Sequence, residues 1–130
     1  MAGTLTISTL SDGTNSTSST NCIQGSAKSW CNFNGTNGSI RSSYNCSSVT
    51  RNSAGDYTYN FTNALPNANY TVAGTAMYSS SVNAHIISYG DSNGASGTLP
   101  TTSAFKFRTL YLSGLSAQDC TYVTVTVSSL

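Results

Sequence analysis

The tightest constraint on this chain is a two-residue hydrophobic period, clearest in Tyr122-Val123-Thr124-Val125-Thr126-Val127, where every second residue is valine. Successive side chains of an extended strand point to opposite faces, so Val123, Val125 and Val127 turn inward together. The same period recurs upstream. Lys28 to Asn34 aligns Cys31 with Phe33, and Ile40 to Cys46 aligns Ile40, Tyr44 and Cys46. Tyr57, Tyr59 and Phe61 alternate, as do Tyr70, Val72, Gly74, Ala76 and Tyr78. Val49 to Asn52 and Ala84 to Tyr89 are further strand candidates. Phe105 to Leu112 carries bulk on both faces, and one of them is expected to meet another subunit. Gly35-Thr36-Asn37-Gly38 reads as a hairpin turn, Ser53-Ala54-Gly55-Asp56 as a second turn, and Asn63 to Asn69 and Gly90 to Thr102 as loops containing Pro66 and Pro100. About eight strands with no helical periodicity predict an all-β fold, an antiparallel β-sandwich of jelly-roll-like character.

Residues 11 to 21, Ser-Asp-Gly-Thr-Asn-Ser-Thr-Ser-Ser-Thr-Asn, offer nothing apolar to bury. Residues 1–25 are therefore expected to be an extended N-terminal arm, used for attachment or subunit exchange, and 26–130 the sandwich domain. Leu5, Ile7 and Leu10 are the arm's anchoring side chains, to be buried only on assembly. A chain of 130 residues supports one core.

Charged residues make up 7% of the chain, Glu is absent, and the formal net charge is +1. The five cations, Lys28, Arg41, Arg51, Lys106 and Arg108, stand singly, whereas phosphate binding draws on clustered Lys and Arg. Nucleic acid is thus not an expected partner. Solubility rests on hydroxyls and amides, and ordered self-assembly is tolerated. The first ten residues lack the basic start and apolar run of a secretory signal, and no apolar stretch is long enough to span a membrane, so the expectation is a soluble, intracellularly made protein without membrane insertion. Cys22, Cys31, Cys46 and Cys120 are too sparse for a disulfide scaffold.

No catalytic constellation emerges. Hydrolysis needs a nucleophile with its base, or two carboxylates able to divide acid and base roles. The only histidine is His85 and the acids are Asp12, Asp56, Asp91 and Asp119, in the arm, a turn and loops. The protein is not expected to be an enzyme, and no cofactor is implied. Zinc-type spacing is missing, and His85 reads as a structural or interface residue. The Asn-x-Ser/Thr triplets at Asn15, Asn34, Asn37, Asn45, Asn60 and Asn69 read as compositional. Cys31 and Cys46 share the inferred core face of one hairpin. They are either small apolar fillers or a disulfide, which requires Cα atoms within about 7 Å. Trp30 points away from Cys31 and Phe33, either packed or, with Leu110 and Leu112, at a subunit interface. Tyr78, Tyr89, Asp91 and Asn93 border loops and have the aromatic, amide and carboxylate groups that contact with a glycan or a neighbouring protein requires.

The phrase Ser26-Ala27-Lys28-Ser29-Trp30-Cys31-Asn32-Phe33-Asn34-Gly35-Thr36 resembles the opening AKAWVNFNGT of a domain that recurs in bacteriophage tail-fibre-like proteins, including those of cyanophages and marine phages. The likeness continues through Ile40-Arg41-Ser42-Ser43-Tyr44-Asn45-Cys46-Ser47-Ser48-Val49-Thr50, then Gly55-Asp56-Tyr57-Thr58-Tyr59-Asn60-Phe61 and Asn67-Ala68-Asn69-Tyr70. It is strong over 25–73, weak over 79–104, and returns at Tyr122 to Val127. Cys31 and Cys46 stand where that domain usually has aliphatic residues. The resemblance implies a virion structural role, as a homotrimer contacting other virion proteins, with the divergent middle as the region where receptor or neighbour contacts vary, host surface glycan being one candidate receptor. Positions at a tip, collar, baseplate or capsid surface all stay open. A capsid decoration protein and a carbohydrate-binding module used in adsorption are the alternatives.

Overall fold

The computed structural model describes residues 3–78, 85–90 and 99–129. Alternation in the sequence becomes two facing antiparallel sheets. One sheet runs in the order β4 (Ile40–Tyr44), β3 (Ser29–Phe33), β11 (Tyr122–Ser128), β7 (Thr71–Met77). The other runs β5 (Cys46–Ser53), β6 (Asp56–Phe61), β9 (Ala104–Tyr111), with β8 (His85–Tyr89) on the far edge of β9. The two-residue β10 (Ser116–Ala117) pairs with Tyr111 and Leu110, which β8 also pairs, so β10 lies on the β6 side of β9. The all-β sandwich expected from the period is the observed fold, and its first and last strands, β3 and β11, are neighbours.

The core sits between the alternating inward faces. Tyr57, Tyr59 and Phe61 of β6 meet Phe105 and Phe107 of β9 within their own sheet, with Tyr59 stacked on Phe105 at 4.8 Å. Across the interior lie Phe33 and the ladder Val123, Val125 and Val127, all buried. Phe33 meets both Tyr57 and Phe107 edge-on, the offset geometry that aromatic quadrupoles favour. Complete burial of such side chains contributes about 1.5–3 kcal/mol each. The tyrosine hydroxyls are not stranded there. Tyr57 donates to the Gly35 carbonyl at 3.0 Å, Tyr59 lies 2.6 Å from the buried Ser29 Oγ, and Tyr70 donates to the Thr101 carbonyl at 2.9 Å.

Two readings of the first hairpin are corrected. The β3–β4 hairpin forms, but its register shifts between Asn32 and Phe33, so Ile40 lies opposite Phe33 whereas Tyr44 lies opposite Trp30. A bulge inserts one residue and inverts the inward parity of the strand beyond it. Tyr44 is consequently exposed. Cys46 does not continue β4. Asn45 adopts a left-handed conformation (φ 53°), and the chain crosses there into the opposite sheet. Asn tolerates that region because its short amide bonds locally. Here Asn45 Nδ2 donates to the Lys28 and Asn63 carbonyls, and Oδ1 accepts the Asn63 N–H at 2.7 Å. Cys31 and Cys46 therefore belong to facing sheets. The strand expected at Val49 to Asn52 is longer, Cys46–Ser53. That expected at Ala84 to Tyr89 is described from His85, and residue 84 lies outside the described residues.

The arm is not extended throughout. Residues 9–18 form a small hairpin of β1 (Thr9–Ser11) and β2 (Ser16–Ser18), and α1 (Ser19–Gly25) follows. Asp12 organises the turn by accepting the Thr14 and Asn15 N–H groups, and Ser18 caps α1 by accepting the Asn21 N–H. Bonds among neighbouring polar groups thus order the segment without a buried apolar face. Lys28, whose ammonium donates to the Ile23 carbonyl and to Ser26, links α1 to β3.

Gly55, with φ +63°, sits where β6 begins, and a Cβ there would stand 2.4 Å from the Gln118 nitrogen and 2.6 Å from the Thr109 oxygen. Gly25 has open space around it. Gly55→Ala should therefore lower stability by about 3 kcal/mol, combining backbone strain with a backbone clash. Gly25→Ala should leave the sandwich's urea midpoint unchanged. Equal midpoints for the two variants would contradict this packing.

Candidate functional site

One end of the sandwich is organised by Asp119, in the segment between β10 and β11. Its carboxylate accepts Arg51 Nε at 2.9 Å, Arg51 Nη2 at 2.7 Å, the Gly55 N–H at 2.8 Å and the Tyr57 hydroxyl at 3.0 Å. Partial burial by itself would raise the pKa of this acid. The guanidinium of Arg51, the Gly55 N–H and the Tyr57 hydroxyl outweigh that and hold it below the ordinary carboxylate range. The cluster fastens the β5–β6 turn to the run entering β11.

Beside it, His85 Nε2 lies 2.8 Å from Gln118 Oε1. The His85 ring stands between Tyr78, nearly parallel at 5.7 Å, and Tyr111 at 5.6 Å. Thr36, Tyr78, Gln118, Asp119 and Thr121 line a cleft of about 360 Å³ at this end. An aromatic ring, an amide, two hydroxyls and a carboxylate already engaged by three donors suit a neutral, hydroxyl-rich ligand: rings cover its C–H faces while amide and hydroxyls bond its oxygens. Asp56 is buried at the start of β6 and accepts from Asn52, while Asp12 sits in the arm. Among the described residues, no group of three or more His, Cys, Asp or Glu side chains is placed to hold a metal ion. No helix among them is long and apolar enough to cross a membrane.

A second surface covers the outer face of the four-stranded sheet. Trp30 pairs directly with Tyr44, and Tyr122 with Met77, all four exposed. Between these pairs lie Asn32, Ser42, Thr124 and Thr75, with the Thr75 and Thr124 hydroxyls 2.7 Å apart. Arg41 closes one margin, 4.3 Å from the centre of the Tyr122 ring and donating to the Thr121 carbonyl at 2.7 Å. The result is a broad face of rings and hydroxyls with a single cation at its edge.

The residues singled out from the sequence do not gather at one place. Tyr78 lines the end cleft, but Tyr89 lies at the opposite end of β8, against Phe105, and Asp91 and Asn93 lie outside the described residues. Trp30 is exposed as its parity demanded. Leu110, however, is buried in the other sheet and Leu112 is exposed at the end of β9 there, so the three do not form one interface. Leu5, Ile7 and Leu10 are exposed in the arm. Sequence reasoning missed Arg51 and Asp119, which are 68 positions apart and carry no local signal. It also missed Tyr44, Met77 and Tyr122; of these, the outward position of Tyr122 follows directly from the inward valines of β11. Comparison with protein-family models, curated proteins and solved structures finds no match.

Because the folded pKa of Asp119 is depressed, its stabilising contribution is complete above its unfolded value, about 3.9, and is lost as pH falls through the folded value. Asp119→Asn should cost about 1–3 kcal/mol at about pH 7, and its deficit against the parent protein should shrink toward about pH 2. Urea unfolding across that range measures it, and a deficit independent of pH would contradict the ionic role.

Proposed function

We propose that this protein is a non-enzymatic structural component of a bacteriophage virion, a tail-fibre-like appendage protein that attaches through its N-terminal arm and presents the β-sandwich outward. The observation that carries this reading is the arm. Leu5, Leu10 and Ile23 are 81, 52 and 65% exposed, and among the described residues none before Cys31 belongs to the buried core cluster. The sandwich closes its own core, so the arm's apolar side chains await burial by another chain, which suits attachment to virion proteins or exchange between subunits. The likeness of residues 25–73 to the phage domain supplies the setting.

Homotrimer formation draws on the outer face bearing Trp30, Tyr44 and Tyr122, since large rings on a nearly uncharged sheet contribute strongly when covered. The three described carboxylates, Asp12, Asp56 and Asp119, each accept hydrogen bonds that hold a turn or a strand end in place. Capsid decoration remains the alternative assembly, using the same arm.

A second reading rests on the end cleft. Tyr78, stacked on His85 beside Gln118, favours contact with a neutral host surface glycan during adsorption.

Deletion of residues 1–25 should leave a domain that folds with an unchanged melting temperature yet fails to enter particles. Incorporation of that truncate at the parent level would refute arm-mediated attachment. Quantified copies per particle separate the assemblies: a few trimers on the tail for an appendage, hundreds of copies on the head for decoration. On a glycan array the intact protein should show binding that Tyr78→Ala abolishes, and absence of binding by the intact protein would remove the second reading.

A further inference from the structure

Cys31, in β3, and Cys46, at the head of β5, belong to facing sheets and are 1 and 7% exposed. The chain passes between them through the β3–β4 hairpin and the Asn45 corner, where β3 and β5 approach within 8 Å between Cα atoms. Both thiols lie in the same buried cluster, and Cys31 pairs across the β3–β4 hairpin with Ser43, whose Oγ lies 3.4 Å from the Cys46 carbonyl oxygen. Beside them, Ser29 Oγ donates toward the Tyr44 and Asn45 carbonyls and lies 2.6 Å from the Tyr59 hydroxyl. The other two thiols are set apart. Cys22 is half-buried in the arm, and Cys120 lies toward the far end of β3, beside Gly35.

We propose that Cys31 and Cys46 form an inter-sheet dithiol that closes to a disulfide when the chain folds in the presence of a small disulfide oxidant such as glutathione disulfide. One cysteine thiolate attacks the oxidant, forming a protein–glutathione mixed disulfide and releasing one glutathione thiolate. The second cysteine thiolate displaces the remaining glutathione, so the Cys31 Sγ–Cys46 Sγ bond forms and the mixed S–S bond breaks. The two cysteines lose two electrons, one disulfide is reduced to two thiols, and the two thiol protons pass to the released glutathione. Cysteines whose Cα atoms lie within about 7 Å can reach the S–S distance of about 2 Å by side-chain rotation.

The link would fasten the two sheets at the point where the chain changes between them, closing a loop through Asn32 to Asn45 and restricting the unfolded chain. Burial sets the timing. Both sulfurs are shut away from solvent once the sandwich closes, and the neighbouring Cys46 thiol together with burial pushes the Cys31 thiol above the ordinary range. The oxidant therefore acts during folding, and the state set then persists, whether open in a reducing compartment or closed in an oxidising one.

The full chain carrying Cys22→Ser is unfolded in reductant, then refolded in parallel with glutathione plus glutathione disulfide and with excess dithiothreitol, and denatured for alkylation. The disulfide sample should alkylate only at Cys120, yield a peptide joining Cys31 to Cys46, and melt roughly 10 °C above the dithiothreitol sample. Adding Cys31→Ala should abolish both the link and the difference in melting temperature between the two refolding conditions. Alkylation of both Cys31 and Cys46 after oxidative refolding would overturn the proposal. So would pairing of either with Cys120 or glutathione, or a linked protein no more stable than the reduced one. Because the two samples are the same chain, a folding defect cannot imitate any of these outcomes.

Discussion

The structure depends on burying tyrosines whose hydroxyls still find partners. Tyr57 and Tyr59 project from the centre of one sheet, and their oxygens reach Gly35 and Asp119 in one case and Ser29 in the other. Ser29 opens β3 and Gly35 follows its end, so two rings of one sheet grip both ends of the strand opposite. Unpartnered, each hydroxyl would cost about 1–3 kcal/mol in the interior. Partnered, each ring adds its apolar burial and fixes how the sheets are placed. This makes the interface specific as well as apolar, which a chain with 7% charged residues requires, having little ionic repulsion to disfavour other packings.

That arrangement explains which parts of the fold were legible in the sequence. Alternation identified the inward residues of β6 and β11 and the parity of Trp30, because a strand buried on one face imposes period two on its side chains. The Asn45 crossing and the β3–β4 bulge were not legible. A bulge costs one residue and leaves the composition of the strand unchanged, so Ile40, Tyr44 and Cys46 read as one face although they occupy three environments. In the arm, the hairpin and short helix rest on Asp12 and Ser18, whose bonds are local and have no apolar period to announce them.

The candidate sites were legible only in part, for a related reason. Arg51–Asp119 and His85–Gln118 are contacts between distant segments, created when the loop before β11 folds over the β5–β6 turn, and strand periodicity says nothing about where loops land. Leu110 shows the converse. Its parity within β9 is outward, yet it is buried, so alternation alone overstated its availability. Tyr78 gained meaning only when the fold set it against His85. Surface function in such a chain resides in rings, amides and hydroxyls brought together by the fold, and these residue types are too frequent here for any one to stand out beforehand.

The division between a self-sufficient sandwich and the arm proposed to attach it is tested most directly by hydrogen–deuterium exchange on the isolated full-length chain, read by peptide mass spectrometry. The amides of β3, β6, β9 and β11 should exchange only through global unfolding, while those of residues 3–25 should exchange within seconds to minutes. Protection of the arm equal to that of β6 and β11 in the isolated chain would contradict the division, because the arm would then share the cooperative unit of the core.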